Sequence, residues 1–157
     1  MGYSIRKATA SDAAGILQLV TELAVFEKEP NAVLTSLDDI REAGWGTNPQ
    51  FEAVVALDGT SYVGLALWYT RWSTWKGTTL HLEDLIVTQD RRGEGIGVAL
   101  YKTYLKRAQE LKVRRAEWVV LDWNQGAIDF YKASGATVLD DWNIVQMDDT
   151  AINNYLS

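Results

Sequence analysis

The sequence predicts an α/β fold. It is a mixed sheet with mostly antiparallel early strands, one central parallel strand–helix–strand crossover and helices on both faces. Three observations predict it. Asp58-Gly59 separates two runs of β-formers and marks a hairpin. A strong strand at 80–87 precedes a long amphipathic helix and a further apolar run at 116–121, and strands joined through a helix run parallel. Ile16, Leu19, Val20 and Leu23 recur at the spacing of one helix face.

Each element follows in chain order. Residues 3–8 read as a short strand. Ser11 reads as a helix cap, with Asp12 in the favourable first turn. Thr35 or Ser36 caps a second helix to about residue 43, which Gly44 and Gly46 end. Strands at 51–57 and 62–69 flank the Asp58-Gly59 turn. Residues 70–79, with Trp72 and Trp75, read as a loop or distorted strand end. After the strand at 80–87 comes a polar, glycine-containing loop at 88–95. The helix at 96–111 carries Leu100, Tyr104, Ala108 and Leu111 along one face. A strand at 116–121, a helix at 125–134 ended by Gly135, and one or two closing strands within 138–147 complete the chain.

At 157 residues the chain is expected to be one domain, 1–157, with a core that needs no covalent staples. It has no cysteine, which excludes disulfides, thiolate metal sites and a cysteine nucleophile. The single histidine, His81, rules out a two-histidine zinc motif, and no Gly-x-Ser-x-Gly elbow accompanies it. The net charge of −6 disfavours a dedicated nucleic-acid binder. No apolar run approaches the ~18 residues of a spanning helix. The expectation is a cytoplasmic protein with no metal and with neither nucleic acid nor membrane as partner.

The segment that carries chemistry is Arg91-Arg92-Gly93-Glu94-Gly95-Ile96-Gly97, between the strand end Leu85-Ile86-Val87 and a long helix. Glycines there permit a tight turn and close backbone approach. The following helix start offers unpaired N–H groups and the positive end of its dipole, a cradle for pyrophosphate. No Gly-Lys-Ser/Thr follows, so it is not a P-loop. Val98 and Leu100 stand where a dinucleotide fingerprint needs its third glycine. From this segment alone, a plain strand–helix turn fits equally well.

Further along come Asn124 and then Ala127-Ile128-Asp129-Phe130-Tyr131-Lys132, with Gly135-Ala136 behind. Together with Arg92-x-x-Gly95-x-Gly97, these resemble the GNAT acetyltransferases. Leu82-Glu83-Asp84-Leu85, Thr74-Trp75-x-Gly77 and Phe26-Glu27-x-Glu29 resemble the spermidine/spermine branch of that family. His81 is a departure, because relatives tend to carry Tyr there.

The resemblance implies a GNAT fold, acetyl-CoA as cosubstrate and direct acetyl transfer to a primary amine. It implies a cofactor site of Leu85, Ile86, Val87, Arg91, Arg92, Gly93, Gly95, Ile96, Gly97, Asn124, Tyr131 and Lys132. Glu83 is the implied base, acting through water, with His81 or water alone as alternatives. Asp84 should face the other way, because strand side chains alternate. Tyr131 is the implied acid for the departing sulfur; its phenol, with a pKa of ~10, keeps its proton until a thiolate forms. Asn124 equally suits a helix cap. Glu27, Trp75, Glu83 and Asp84 are the implied acceptor-binding residues. The resemblance and the seven tryptophans point to a homodimer.

Charge is divided along the chain. Residues 91–132 hold nine basic and five acidic residues, and the remainder holds six basic against sixteen acidic. One region suits a polyanionic cofactor and the other a cationic acceptor such as a polyamine, diamine or lysine-like compound. Two alternatives stand beside this reading: acetylation of a protein lysine or N-terminus, and a non-catalytic acyl-CoA-binding module.

Overall fold

The computed structural model describes residues 2–157 as two compact units, one ending at Val119 and the other comprising Val120–Ser157.

The first unit is built on a five-stranded sheet in sequential order. Its strands are β1 (Ser4–Lys7), β2 (Glu52–Asp58), β3 (Ser61–Ser73), β4 (Gly77–Val87) and β5 (Ala116–Glu117). The β1–β2, β2–β3 and β3–β4 pairs are antiparallel, and β4–β5 is parallel. The helices are α1 (Ala13–Phe26), α2 (Leu37–Trp45) and α3 (Ile96–Glu110). The expected mixed sheet and its parallel crossover are present.

Alternation along the strands feeds two cores. On one face, Ile16 and Leu19 of α1 and Ile40 of α2 pack with Val55, Leu65, Leu67 and Ile86. On the other, Tyr104 of α3 stacks on Trp68 with ring centroids 5.8 Å apart, and its hydroxyl donates to the Leu80 carbonyl at 2.7 Å. Leu100 approaches Gly64 so closely that a Cβ there would lie 2.8 Å from Leu100 Cδ1. Each fully buried Leu or Ile contributes about 1.5–3 kcal/mol.

The start of α1 is anchored by Asp12, which is fully buried. Its carboxylate accepts two hydrogen bonds from Arg6 (2.7 and 2.8 Å), one from the Thr9 N–H (2.7 Å) and one from the Tyr62 hydroxyl (2.7 Å). The Arg6 guanidinium holds this carboxyl well below the usual carboxylate range. α2 is capped by Ser36, whose hydroxyl accepts from the Asp39 N–H.

The β3–β4 hairpin differs from expectation. β3 continues to Ser73 and β4 starts at Gly77, so residues 70–79 are mostly strand around a turn at 74–76. Cross-strand pairing supplies what local pattern did not. β5 is shorter than the expected 116–121, because its pairing with β4 spans only Leu80–Ala116 and His81–Glu117.

The second unit contains α4 (Gln125–Ala133) and α5 (Asp149–Leu156). Asn124 caps α4, and Asp148 caps α5 by accepting from the Ala151 N–H at 2.7 Å. The strands expected within 138–147 are not formed. β-propensity needs a paired neighbour to become a strand, and this segment has none in the described residues.

Candidate active site

β4 positions the carboxylates. Its register pairs Asp84 with Leu67 and Leu82 with Trp68, which leaves Glu83 as the extra residue of a β-bulge. Leu67 belongs to the core under α1, so Asp84 shares that face. Glu83 accepts a hydrogen bond from the Tyr69 hydroxyl at 3.2 Å, and Tyr69, two residues beyond Leu67, lies on the same face. Both carboxylates therefore stand on one side. The expectation that Asp84 faces away is corrected: alternation fails at a bulge, where two residues of one strand oppose one of the other.

Electrostatics agree with this placement. Burial, then the Glu83 charge, then the Glu27 charge push Asp84 up to about 7. Glu27, just past the end of α1, is itself raised by partial desolvation. Three acidic groups thus share one side of the sheet, an arrangement that favours a cation arriving between them.

His81 lies on the same face, its ring centroid 5.1 Å from that of Tyr69. Its Nε2 is 3.6 Å from Glu83 and its Nδ1 is 3.5 Å from Glu117. Glu117 in turn pairs with Arg71 (2.8 Å) and Arg115 (3.1 Å). Tyr69, Arg71 and Glu117 were not found from sequence. Glu117 lies 36 positions beyond His81, and only the parallel register joins them.

The glycine turn has the geometry that phosphate binding requires. Gly93 (φ 84°) and Gly95 (φ 82°) are left-handed, and Gly95 is the N-cap of α3. A Cβ built on either meets no atom within 4 Å, so backbone conformation rather than crowding calls for glycine there, and the cradle is open. Gly97 follows in the first turn of α3, while Ile96 is buried and anchors the helix start. The residues present fit a pyrophosphate.

The two arginines differ. Arg92 lies over the Phe26 ring at 4.5 Å, and its Nε donates to the Val87 carbonyl at 3.2 Å. Arg91 is not left mobile beside the turn. It is held by Asp58 (2.7 Å) and by both carboxylate oxygens of Glu94 (2.7 and 2.9 Å).

Beyond His81, β4 runs six residues further to Val87 without β5 beside it. Leu85 and Val87 are half-buried and the Ile86 side chain is in the core, so this stretch presents backbone on its β5 side. Trp75 is separated from the carboxylates. It is 79% exposed in the 74–76 turn, about 20 Å along β4 from Glu83 at ~3.3 Å per residue. In the second unit, the Asn124 side chain accepts from the Ala127 N–H at 3.3 Å, the cap that was its alternative role. Tyr131 is half-buried with its ring 5.4 Å from Phe130, and Lys132 is exposed. Among the described residues no group of three or more His, Asp or Glu could hold a metal ion. No helix there is long and apolar enough to cross a membrane.

A strand–glycine turn–helix, a parallel ladder that ends at His81 and a carboxylate-lined sheet face all belong to the first unit. Residues 17–136 match the Acetyltransferase (GNAT) family. The chain belongs to that family, and it is an acetyltransferase. It is 35% identical to the thialysine N-epsilon-acetyltransferase of Bos taurus, over 94% of each chain. It is 34% identical to the spermidine/spermine N(1)-acetyltransferase-like protein 1 of Homo sapiens, over 85% of this chain and 20% of that one. In fold it is similar to an integron cassette protein from the mobile metagenome of V. cholerae, with a TM-score of 0.80, 20% identity and coverage of 99% and 98%.

Proposed function

We propose that the chain moves acetyl from acetyl-CoA to a primary amine of a small cationic acceptor, a polyamine, diamine or lysine-like compound. The observation that carries this reading is the gathering of Glu27, Glu83 and Asp84 on one side of the sheet, beside the strand end that leads into the glycine turn. The thialysine N-epsilon-acetyltransferase of Bos taurus, named for a lysine-like acceptor, and the likeness to the spermidine/spermine N(1)-acetyltransferase-like protein support the same acceptor chemistry.

Bound acetyl-CoA supplies a thioester whose carbonyl carbon is open to an amine. Backbone N–H groups of Gly93–Gly97 and the α3 N-terminus hold the pyrophosphate, with the Arg92 charge beside them. The β4 backbone at Leu85–Val87 hydrogen-bonds the pantetheine arm and the carbonyl oxygen as it gains charge. Asn124 and Lys132 add contacts to the cofactor. Asp84 and Glu27 hold the distal ammonium of the acceptor. An alkylammonium, with a pKa of ~10.4, is mostly protonated at neutral pH, so it must lose a proton before attack. Glu83 takes that proton through water. The C–N bond forms, the C–S bond breaks and the Tyr131 hydroxyl gives its proton to the sulfur, while the second proton, lost by the nitrogen as the amide forms, passes through water to restore the Tyr131 hydroxyl.

The test is a panel of amines assayed by thiol release. Diamines and polyamines should give lower KM than uncharged or anionic amines, and added salt should raise that KM by screening. Preference for neutral or acidic amines would overturn the acceptor assignment. Acetyl-CoA binding without thiol release from any amine or lysine peptide would leave a binding module instead.

A further inference from the structure

We propose that His81 receives the proton that Glu83 draws from the acceptor, and that Glu117 fixes which imidazole nitrogen is free to take it. This rests on the assignment of Glu83 as the group that deprotonates the acceptor.

The argument starts from two buried atoms. His81 Nδ1 is buried and makes no hydrogen bond, and neither does Glu117 Oε1, 3.5 Å away. Glu117 Oε1 lies 2.8 Å from Arg71 Nη1 as an ion pair without hydrogen-bond alignment. A buried polar atom left unsatisfied costs about 1–3 kcal/mol. Two lone pairs facing each other there would be worse, whereas an Nδ1–H aimed at Oε1 is attracted to it and satisfies both atoms once the 3.5 Å gap closes by a few tenths of an ångström. The proton of the neutral imidazole therefore belongs on Nδ1. That leaves the Nε2 lone pair directed at Glu83, which is half-exposed and reached by water. The Nε2–Oε2 gap of 3.6 Å must close by roughly 0.6 Å to become a hydrogen bond, a tightening usual on substrate binding.

The charged and titratable groups facing the ring are Tyr69 and Arg71 from β3, Glu83 from β4, Glu117 from β5 and Arg115 just before it. Two carboxylates flank the imidazole directly, and both arginines pair with one of them, Glu117.

The proton balance is simple. The acceptor ammonium loses H⁺ to the Glu83 carboxylate, and the resulting acid passes it to His81 Nε2. Glu83 is restored as an anion while the amine attacks, so the acidic side of the sheet keeps its hold on the acceptor's remaining positive charge. After transfer, the imidazolium returns the proton to solvent past the exposed side of Glu83.

The experiment compares wild type, His81→Gln, His81→Ala and Glu83→Gln, with folding checked by thermal melting and kcat followed from about pH 6 to about pH 9. His81→Gln should lower kcat at neutral pH by about tenfold or more, with acceptor KM within about twofold. The deficit should shrink as pH rises and free amine accumulates. Added imidazole should restore part of the rate to His81→Ala. A deficit that is constant with pH and unrelieved by imidazole would make His81 a packing residue and overturn the proposal, as would an unchanged rate. Loss in Glu83→Gln without loss in the His81 variants would overturn the His81 role and keep Glu83 as base. A full rate in Glu83→Gln would overturn both assignments.

Discussion

Asp84 shows how one side chain can be half legible. Its position beside Glu83 was readable in Leu82-Glu83-Asp84-Leu85, but its direction was not, because no residue pattern announced the bulge. The consequence is measurable. Its carboxyl is pushed up to about 7 in the folded chain by burial and by two neighbouring carboxylates. A group raised in the folded state favours its protonated form, so folding stability falls as pH rises from about 4, its unfolded value, towards about 7. A bound cation favours the ionised form. Diamine binding near pH 6 should therefore release a proton, seen as a calorimetric enthalpy that varies with buffer ionisation heat. Asp84→Asn should abolish that variation, and a proton release that survived it would belong to another group. Tyr131 was legible in identity alone. Tyr131→Phe should cut single-turnover acetyl transfer by about 100-fold while leaving the acetyl-CoA Kd unchanged. A rate within about threefold of wild type would assign the acid to water or another side chain.

At the scale of elements, periodicity located α1 and α3, since burial is what writes a period into sequence. It failed where a partner rather than a pattern decides. The hairpin end at 70–73 is strand because β4 pairs with it across Arg71–Thr79 and Trp72–Thr78. Residues 138–147 have strand composition and no partner strand among the described residues. α5 was not read from the sequence; Asp148 caps it, and its Asn153 and Asn154 form helix poorly. The glycine turn was the most legible element, and it separates backbone from charge. Gly95→Asn keeps the left-handed conformation that Asn tolerates, while Gly95→Asp adds a negative charge to the cradle. Both should lower stability by no more than about 1–2 kcal/mol. Only the aspartate should abolish acetyl-CoA binding by calorimetry, and undiminished affinity in a folded Gly95→Asp would place the pyrophosphate elsewhere.

For the whole molecule, the charge division along the chain was plain in the sequence, whereas its convergence on one side of a sheet needed register. Assembly is a separate question. Leu139, Trp142, Ile144, Val145 and Met147 of the second unit are exposed, as is Trp72 of the hairpin. Apolar residues exposed in such a run mark surfaces that associate. We propose a homodimer, which light scattering checks: a mass near twice 17.6 kDa at micromolar concentration is expected, and a mass near 17.6 kDa would overturn it.

The two-rung pairing of β4 with β5 acts as a stop on a zipper. Arg71 of β3, His81 of β4 and Glu117 of β5 lie together at the last rung, so side-chain contacts fasten the ladder where it ends. Hydrogen–deuterium exchange should trace that stop. Within 82–87, amides turned towards β3 should be protected and alternate ones should exchange readily, with protection rising again at His81. Occupation of the gap by an acyl-CoA analogue should slow the alternate amides alone. A uniform rate along 82–87 would mean that the strands part at a point that wanders rather than at a fixed rung.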